Sequence, residues 1–204
     1  MIILDAEQGS EEWLKARSGI PTASMFSNII TPGGLVSTGE SYLKQLCAEW
    51  LIGGPDPDGF RGNYDTERGT RLEPDARATY EFLRDVEVQQ VGFVYKDAMR
   101  RFGASPDGLV GDDGGFECKC PKLVTHQDYL IEGIVPKKYI PQIQGCMWVC
   151  DRQYWDFMSY HPNTEPLIVR MNRDEKYIKS LETHMKAFLA KLNLMKKQVE
   201  KFKL

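Results

Sequence analysis

The period of the hydrophobic positions changes several times along the chain, and each change marks an element. Between residues 10 and 30, two short helical patterns flank Gly19-Ile20-Pro21. Thr22 or Ser24 can cap the second, which carries Met25, Phe26, Ile29 and Ile30, and Thr31-Pro32-Gly33-Gly34 ends it. Tyr42, Leu43, Leu46, Cys47 and Trp50 recur at helical spacing and predict a helix over 40–52. Glycine and proline crowd the start of the stretch from Gly53 to Tyr64, which reads as a loop. Leu72, Ala76, Tyr80 and Leu83 then share one face of a predicted helix over 66–84, where Pro74 signals a kink or the true start.

From Val86 the period shortens. Val86, Val88, Val91, Phe93 and Tyr95 predict a strand with a slip near Gln89-Gln90. Arg101–Ser105, Leu109–Gly111 and Gly115–Cys120 read as further strands, the last two joined by a hairpin loop over Gly111-Asp112-Asp113-Gly114-Gly115. Helical patterns return at 125–133 and 137–150, followed by strands at Gln153–Tyr160 and Leu167–Met171. Asn172 with Glu175 reads as a capping-box variant opening a long C-terminal helix over about 173–203. Its apolar seam runs Ile178, Leu181, Met185, Phe188, Leu192, Met195, Val199 and Phe202. Such a seam serves either its own domain or a protein partner. The order of elements predicts one α/β domain over residues 1–204, with α+β character and a central mixed sheet flanked by helices.

Composition adds exclusions. With 42% hydrophobic and 27% charged residues among 204, the chain has the make-up of an ordinary globular protein. No run reaches the roughly 18 apolar residues of a membrane span, and the start lacks a signal-peptide pattern, so a cytoplasmic protein is expected. Five cysteines, an odd number, do not suggest a disulfide framework. The Cys118/Cys120 and Cys146/Cys150 pairs could form a zinc site or be small buried apolar residues. A net charge of −3 argues mildly against a nucleic-acid partner, unless the carboxylates hold cations that reverse the local field.

The chemistry concentrates in Ser105-Pro106-Asp107-Gly108 and Phe116-Glu117-Cys118-Lys119-Cys120. Alternation along a strand puts Glu117 and Lys119 on one face, and Phe116, Cys118 and Cys120 on the other. A hairpin can bring Asp107 beside Glu117. Two carboxylates and an ammonium in one cleft suit Mg²⁺-assisted hydrolysis of a phosphodiester. The lysine would orient or deprotonate the attacking water and offset developing charge. The same residues could also be an exposed hairpin with an ion pair of little consequence.

Pro106-Asp107 followed by Glu117-Cys118-Lys119 resembles the P-D…(D/E)-x-K nuclease superfamily. Six ordered blocks resemble, more specifically, the lambda exonuclease or YqaJ viral recombinase family. They are Trp13–Gly19 with Thr22-Ala23-Ser24, Arg68-Gly69 through Glu73 to Arg77, Ser105–Gly108, Glu117–Pro121, Tyr139 through Gln142 and Gln144 to Trp148, and Arg173–Tyr177. The resemblance implies a restriction-endonuclease-like core and a Mg²⁺-dependent, processive 5′→3′ exonuclease on linear double-stranded DNA. That enzyme would leave 3′ single strands for recombination by annealing. It further implies two Mg²⁺ ions, with Mn²⁺ as an alternative, held by Asp107, Glu117 and the backbone carbonyl of Cys118. Lys119 would be catalytic, Glu73 would act near the second ion, and Tyr139 and Gln142 would flank the site. Arg17, Ser24 and Ser105 would form a 5′-phosphate pocket. The family also implies a homotrimeric ring around DNA, a phage single-strand-annealing partner and a bacterial host cytoplasm. One departure stands out: where the family has another pocket arginine, residues 122–128 offer only Lys122 and His126 as basic side chains. Within the superfamily, a structure-selective or restriction-type endonuclease is the alternative. A non-catalytic DNA-binding protein is a third reading.

Overall fold

The computed structural model describes residues 1–58 and 64–203, and the predicted 53–64 loop lies partly outside them. Strand β1 (Ile2–Leu4), which the hydrophobic pattern did not reveal, precedes helix α1 (Glu11–Arg17). The Ser10 hydroxyl caps α1 by accepting from the Trp13 amide at 3.2 Å, with Glu11 and Glu12 in the first turn and Lys15 and Arg17 in the last. The second short pattern is a 3₁₀ helix (Ala23–Asn28). Thr22 stands at its cap position without a side-chain bond, and Ser24 lies inside it rather than capping it.

Helix α2 (Glu40–Ile52) is followed by α3 (Tyr64–Arg84), which contains Pro74 in its interior, so that proline is not its start. Ala76 and Tyr80 of α3 are buried, but Leu83, expected on the same face, is exposed. The strand expected over residues 86–95 is two strands in different sheets, β2 (Val88–Gln89) and β3 (Phe93–Tyr95). Gly92 sits at the break, where an added Cβ would meet the Ala6 carbonyl oxygen at 1.9 Å. That close approach turns the chain from one sheet to the other.

A three-stranded sheet runs β1-β3-β4, with β4 at Gly103–Ala104. The main sheet is mixed, in the order β2-β5-β6-β7-β8, with β5 at Gly108–Val110, β6 at Gly114–Lys119, β7 at Tyr154–Ser159 and β8 at Leu167–Asn172. β5 and β6 form the expected hairpin around residues 111–113. β6 and β7 are parallel, and α4 (Leu123–Glu132) and α5 (Ile140–Cys150) make the crossover that a parallel pair requires. Gly114 and Gly115, expected in the loop, belong to β6, and a Cβ at either would strike the Tyr154 or Trp155 ring of β7, at 2.3 and 2.2 Å.

The C-terminal helix α6 (Glu175–Val199) is capped by Asp174, whose side chain accepts from the amides of Lys176 and Tyr177 at 2.9 and 3.1 Å. Asn172 is the last residue of β8 instead, so the proposed capping box is corrected to a one-residue Asp cap. The seam from Ile178 to Leu192 is buried within the chain's own core, alongside residues of α2 and α5, and only Phe202 at its end is exposed. Cys146 and Cys150 lie in this large core, whereas Cys118 lies in a separate cluster with Ala76, Tyr80 and Phe116. Among the described residues no helix is long and apolar enough to cross a membrane.

That second cluster abuts a buried polar network. Asp156, fully buried, accepts from the Tyr80 hydroxyl at 2.7 Å and from two nitrogens of Arg170 at 2.8 Å each. The Arg170 guanidinium lies over the Tyr154 ring at 3.7 Å. Asp156→Ala leaves the Tyr80 hydroxyl without its acceptor and is expected to destabilise the fold by about 1–3 kcal/mol. A lowered urea midpoint at unchanged slope is the measurement that checks this.

Candidate active site

Hairpin register builds the site. Gly108 pairs with Phe116, so one step further out Asp107 comes opposite Glu117. The Asp107 carboxylate locks this arrangement by accepting the Cys118 amide at 2.8 Å. Strand alternation holds as expected, with Phe116 and Cys118 facing the α3 side and Glu117 and Lys119 turned the other way. Glu117 is 1% exposed. One of its oxygens, Oε1, accepts from Lys119 Nζ at 2.5 Å and from Gln142 Nε2 at 2.6 Å. The other, Oε2, is buried without a hydrogen-bond partner among the described residues.

Such an orphaned carboxylate oxygen is costly unless something cationic completes it. The protonation balance points the same way. Burial, then the neighbouring Asp107, pushes Glu117 up to about 7. Burial likewise pushes Asp107 up to about 6, against the pull of Lys119. Burial alone would lower the Lys119 ammonium, but Glu117 and Asp107 override it and hold it well above its ordinary value. Glu73 is raised by burial and feels Glu117, while Arg77 opposes the shift from 3.5 Å. Tyr139 lies beside the lysine, its ring 5.4 Å from Lys119 Nζ.

Three carboxylates therefore face one ammonium and one partly engaged arginine, an excess of negative charge suited to a divalent cation. Among the described residues no three His, Cys, Asp or Glu side chains converge as a ligand set. A cation would rest on Asp107, Glu117, main-chain oxygen such as the Cys118 carbonyl, and water. Hard oxygens with retained waters are the donor set Mg²⁺ prefers.

A second constellation adjoins the first. Arg17 Nη1 donates to the Ser105 hydroxyl at 2.6 Å, and Nη2 donates to the Ser24 hydroxyl at 3.4 Å. Its guanidinium lies over the Trp13 ring at 4.2 Å. The structure thus unites all three residues expected in a phosphate pocket, from three separate segments. Ser105 precedes Asp107 by two residues, so their backbones lie at most about 7 Å apart. Burial lowers Arg17, with Tyr42 and Glu49 opposing, and its hydrogen-bond partners among the described residues are hydroxyls, not carboxylates.

His126 does not reach this pocket. It is fully buried, with Nδ1 at 2.7 Å from the Ser159 hydroxyl and Nε2 at 3.2 Å from the Glu165 carbonyl. Two supporting residues escaped the sequence reading. Trp13 lies four residues before Arg17 on α1, a spacing that could have revealed the stacked pair. Gln8 ties the segment together by donating to the carbonyls of Val91 and Pro106 at 3.1 and 3.0 Å, and nothing local in the sequence signals it.

Comparison with known proteins gives a consistent picture. Residues 12–153 match the YqaJ-like viral recombinase domain. The crystal structure of the alkaline exonuclease LHK-Exo from Laribacter hongkongensis superposes with a TM-score of 0.85 at 35% identity, covering 94% of this chain and 97% of that one. The same enzyme in complex with dAMP gives 0.84 at the same identity and coverage. A phage related exonuclease from Haemophilus somnus 129PT is 17% identical and superposes at 0.68 over 90% of this chain and 96% of that one, which speaks for the fold alone. Comparison with curated proteins returns no match. With the family domain spanning most of its length and a 35% identical relative covering 94% of it, the chain belongs to the YqaJ-like viral recombinase family and is a nuclease of the alkaline-exonuclease fold.

Proposed function

We propose that the protein is a Mg²⁺-dependent 5′→3′ exonuclease that degrades one strand of linear double-stranded DNA, with Mn²⁺ as an alternative ion. The observation that carries this reading is adjacency: an under-neutralised acid pair lies two residues along the chain from an arginine-and-hydroxyl pocket. A pocket that grips a terminal phosphate beside a hydrolytic centre suits release of one nucleotide at a time from a 5′ end. LHK-Exo, the 35% identical relative, has been solved with the mononucleotide dAMP.

A divalent cation bound here would polarise the scissile phosphate and make a bound water acidic. Asp107 and Glu117 would hold it with the Cys118 carbonyl, and a second ion would engage Glu73 through water. Gln142 fixes the Glu117 carboxylate by donating to Oε1, which leaves Oε2 for the metal. Lys119, bonded to Glu117 Oε1, offers a cation and hydrogen-bond donor toward the reacting phosphate and its attacking water. Arg17 offers a planar fork to the terminal phosphate, and Ser24 and Ser105 add hydroxyl donors. Tyr139 walls the lysine side of the cleft.

Family resemblance supports three further parts of the reading. The enzyme works as a homotrimeric ring, which makes digestion processive despite a net charge of −3. It passes its 3′ strand to a single-strand-annealing partner, and it acts in the cytoplasm of a bacterial host. Molecular mass in solution tests the first of these.

The central test uses linear duplex labelled at either end, with 5′-phosphate or 5′-hydroxyl termini. Release of label from the 5′ end supports the reading; release from the 3′ end, or cutting of closed circles, overturns it. Arg17→Ala removes charge-assisted bonds to the phosphate and is expected to raise KM for 5′-phosphate ends about tenfold to a hundredfold. KM for 5′-hydroxyl ends should stay unchanged, and an unaltered preference would rule out the pocket.

A further inference from the structure

The Arg17 pocket is assembled across a turn, and that turn is held from outside. Arg17 closes α1, Ser24 stands in the next 3₁₀ helix, and residues 18–22 connect them. Three side chains remote in sequence grip the backbone of this connection. Glu49 Oε2 accepts the Gly19 amide at 2.9 Å. Lys196 Nζ donates to the Gly19 carbonyl at 3.0 Å. The Tyr42 hydroxyl accepts the Thr22 amide at 3.0 Å.

These are unusual commitments. Glu49 is only 9% exposed, and its other oxygen accepts from Gln45 Nε2 at 2.8 Å. Its hydrogen-bond partners among the described residues are thus two neutral amides, not a cation. A buried carboxylate is tolerated when its bonds are fully used, and here the bond that reaches beyond its own helix goes to the turn. Gly19 adopts φ +72°, and a Cβ there would lie 3.0 Å from the Trp50 Cβ, so the turn is pressed directly onto α2. Ser105, by contrast, approaches from the sheet, where Gln8 anchors the neighbouring Pro106 carbonyl. The distance from Arg17 to the hydroxyls therefore depends on how the turn is seated. The two bonds differ in length, 2.6 Å to Ser105 and 3.4 Å to Ser24, which leaves room for a small shift to matter.

We propose that Glu49, Tyr42 and Lys196 are positioning residues. They clamp the 18–22 turn and so set the spacing of Arg17 against Ser24 and Ser105 for recognition of a terminal phosphate. The inference rests on the pocket reading above. It also gives the far end of α6 a role, because Lys196 links that helix to the pocket.

The test compares Tyr42→Phe, Glu49→Ala and Glu49→Gln with Arg17→Ala, measuring kcat and KM on duplexes with 5′-phosphate and 5′-hydroxyl ends. Tyr42→Phe and Glu49→Ala should each raise KM for phosphorylated ends about fivefold or more, the size expected when a seated hydrogen-bond geometry is loosened. Their kcat, and KM for hydroxyl ends, should stay within about twofold of the parent enzyme. Glu49→Gln should recover most of the affinity, since its amide oxygen can still accept from Gly19. Folding is followed by melting temperature, and if Glu49→Ala does not fold, Tyr42→Phe carries the test. Normal KM for phosphorylated ends in folded Tyr42→Phe, while Arg17→Ala loses its preference, overturns the clamp and leaves the pocket standing. Equal losses on both kinds of end also overturn it, as mere destabilisation. If the parent enzyme and Arg17→Ala treat both ends alike, the pocket reading itself fails and takes the clamp with it.

Discussion

Glu117→Gln is expected to abolish nuclease turnover while leaving the protein folded. The substitution keeps side-chain volume, and its amide oxygen can still accept from Lys119 and Gln142, which now share Oε1 of the acid. What it removes is the charge and Oε2, among the described residues the one buried carboxylate oxygen without a hydrogen-bond partner. Loss of this proposed metal ligand should forfeit several kcal/mol of transition-state stabilisation, or at least about a thousandfold in rate. Single-turnover degradation of labelled duplex measures the loss, and retention on the same DNA shows that binding survives. Turnover within about tenfold of the parent enzyme would remove Glu117 from the chemistry.

Acid inactivation with loss of metal is the second large effect. Asp107 is raised to about 6, chiefly by burial, and Glu117 to about 7 by burial and then by Asp107, and neighbouring acids of this kind titrate as a pair. Below these values protons would occupy the two proposed metal ligands, so a cation would have to displace them. Activity at fixed Mg²⁺ should therefore fall as pH drops through 7, by about tenfold per unit and more steeply below 6 where both acids are protonated. Excess Mg²⁺ should shift the fall to lower pH, and chelation should abolish activity at any pH. Stability offers an independent check. A carboxylate raised in the folded state binds more protons there than when unfolded, so the metal-free protein loses stability as pH rises from its ordinary carboxylate range toward 7. Lys119, raised as well, stays charged across that window and adds no slope of its own. The gain in melting temperature on adding Mg²⁺ should thus be larger at about pH 8 than at about pH 5.5. A pH-independent gain would separate cation binding from these two acids.

Some elements were plain in the sequence and others were not, for identifiable reasons. Long periodic segments read well: α2, α5 and α6 lie where Leu46, Ile143 and Leu181 predict, because burial of one face imposes a period of 3.6. Short strands read poorly. The run from Val86 to Tyr95 carries one alternation but serves two sheets, with Gly92 packed against Ala6 at the break. β1 is three residues long and half exposed, too short for a pattern. Asn172 and Asp174 are both plausible caps, and the choice fell to Asp174 because pairing with β7 keeps Asn172 in its strand.

By itself the sequence determined that Glu117 and Lys119 share a face, since alternation along a strand leaves no other outcome, and that Asp107 can meet them across a hairpin. Its ordered motifs also marked Arg17, Ser24 and Ser105. Only the tertiary structure decided that Glu117 keeps one oxygen unpaired while Gln142 and Lys119 occupy the other. It alone closed Arg17 onto both serines and gave Glu49, Tyr42 and Lys196 their hold on the turn between them. Periodicity is a property of neighbours a few residues apart. Contacts spanning up to 177 residues, as between Lys196 and Gly19, follow from how whole elements pack.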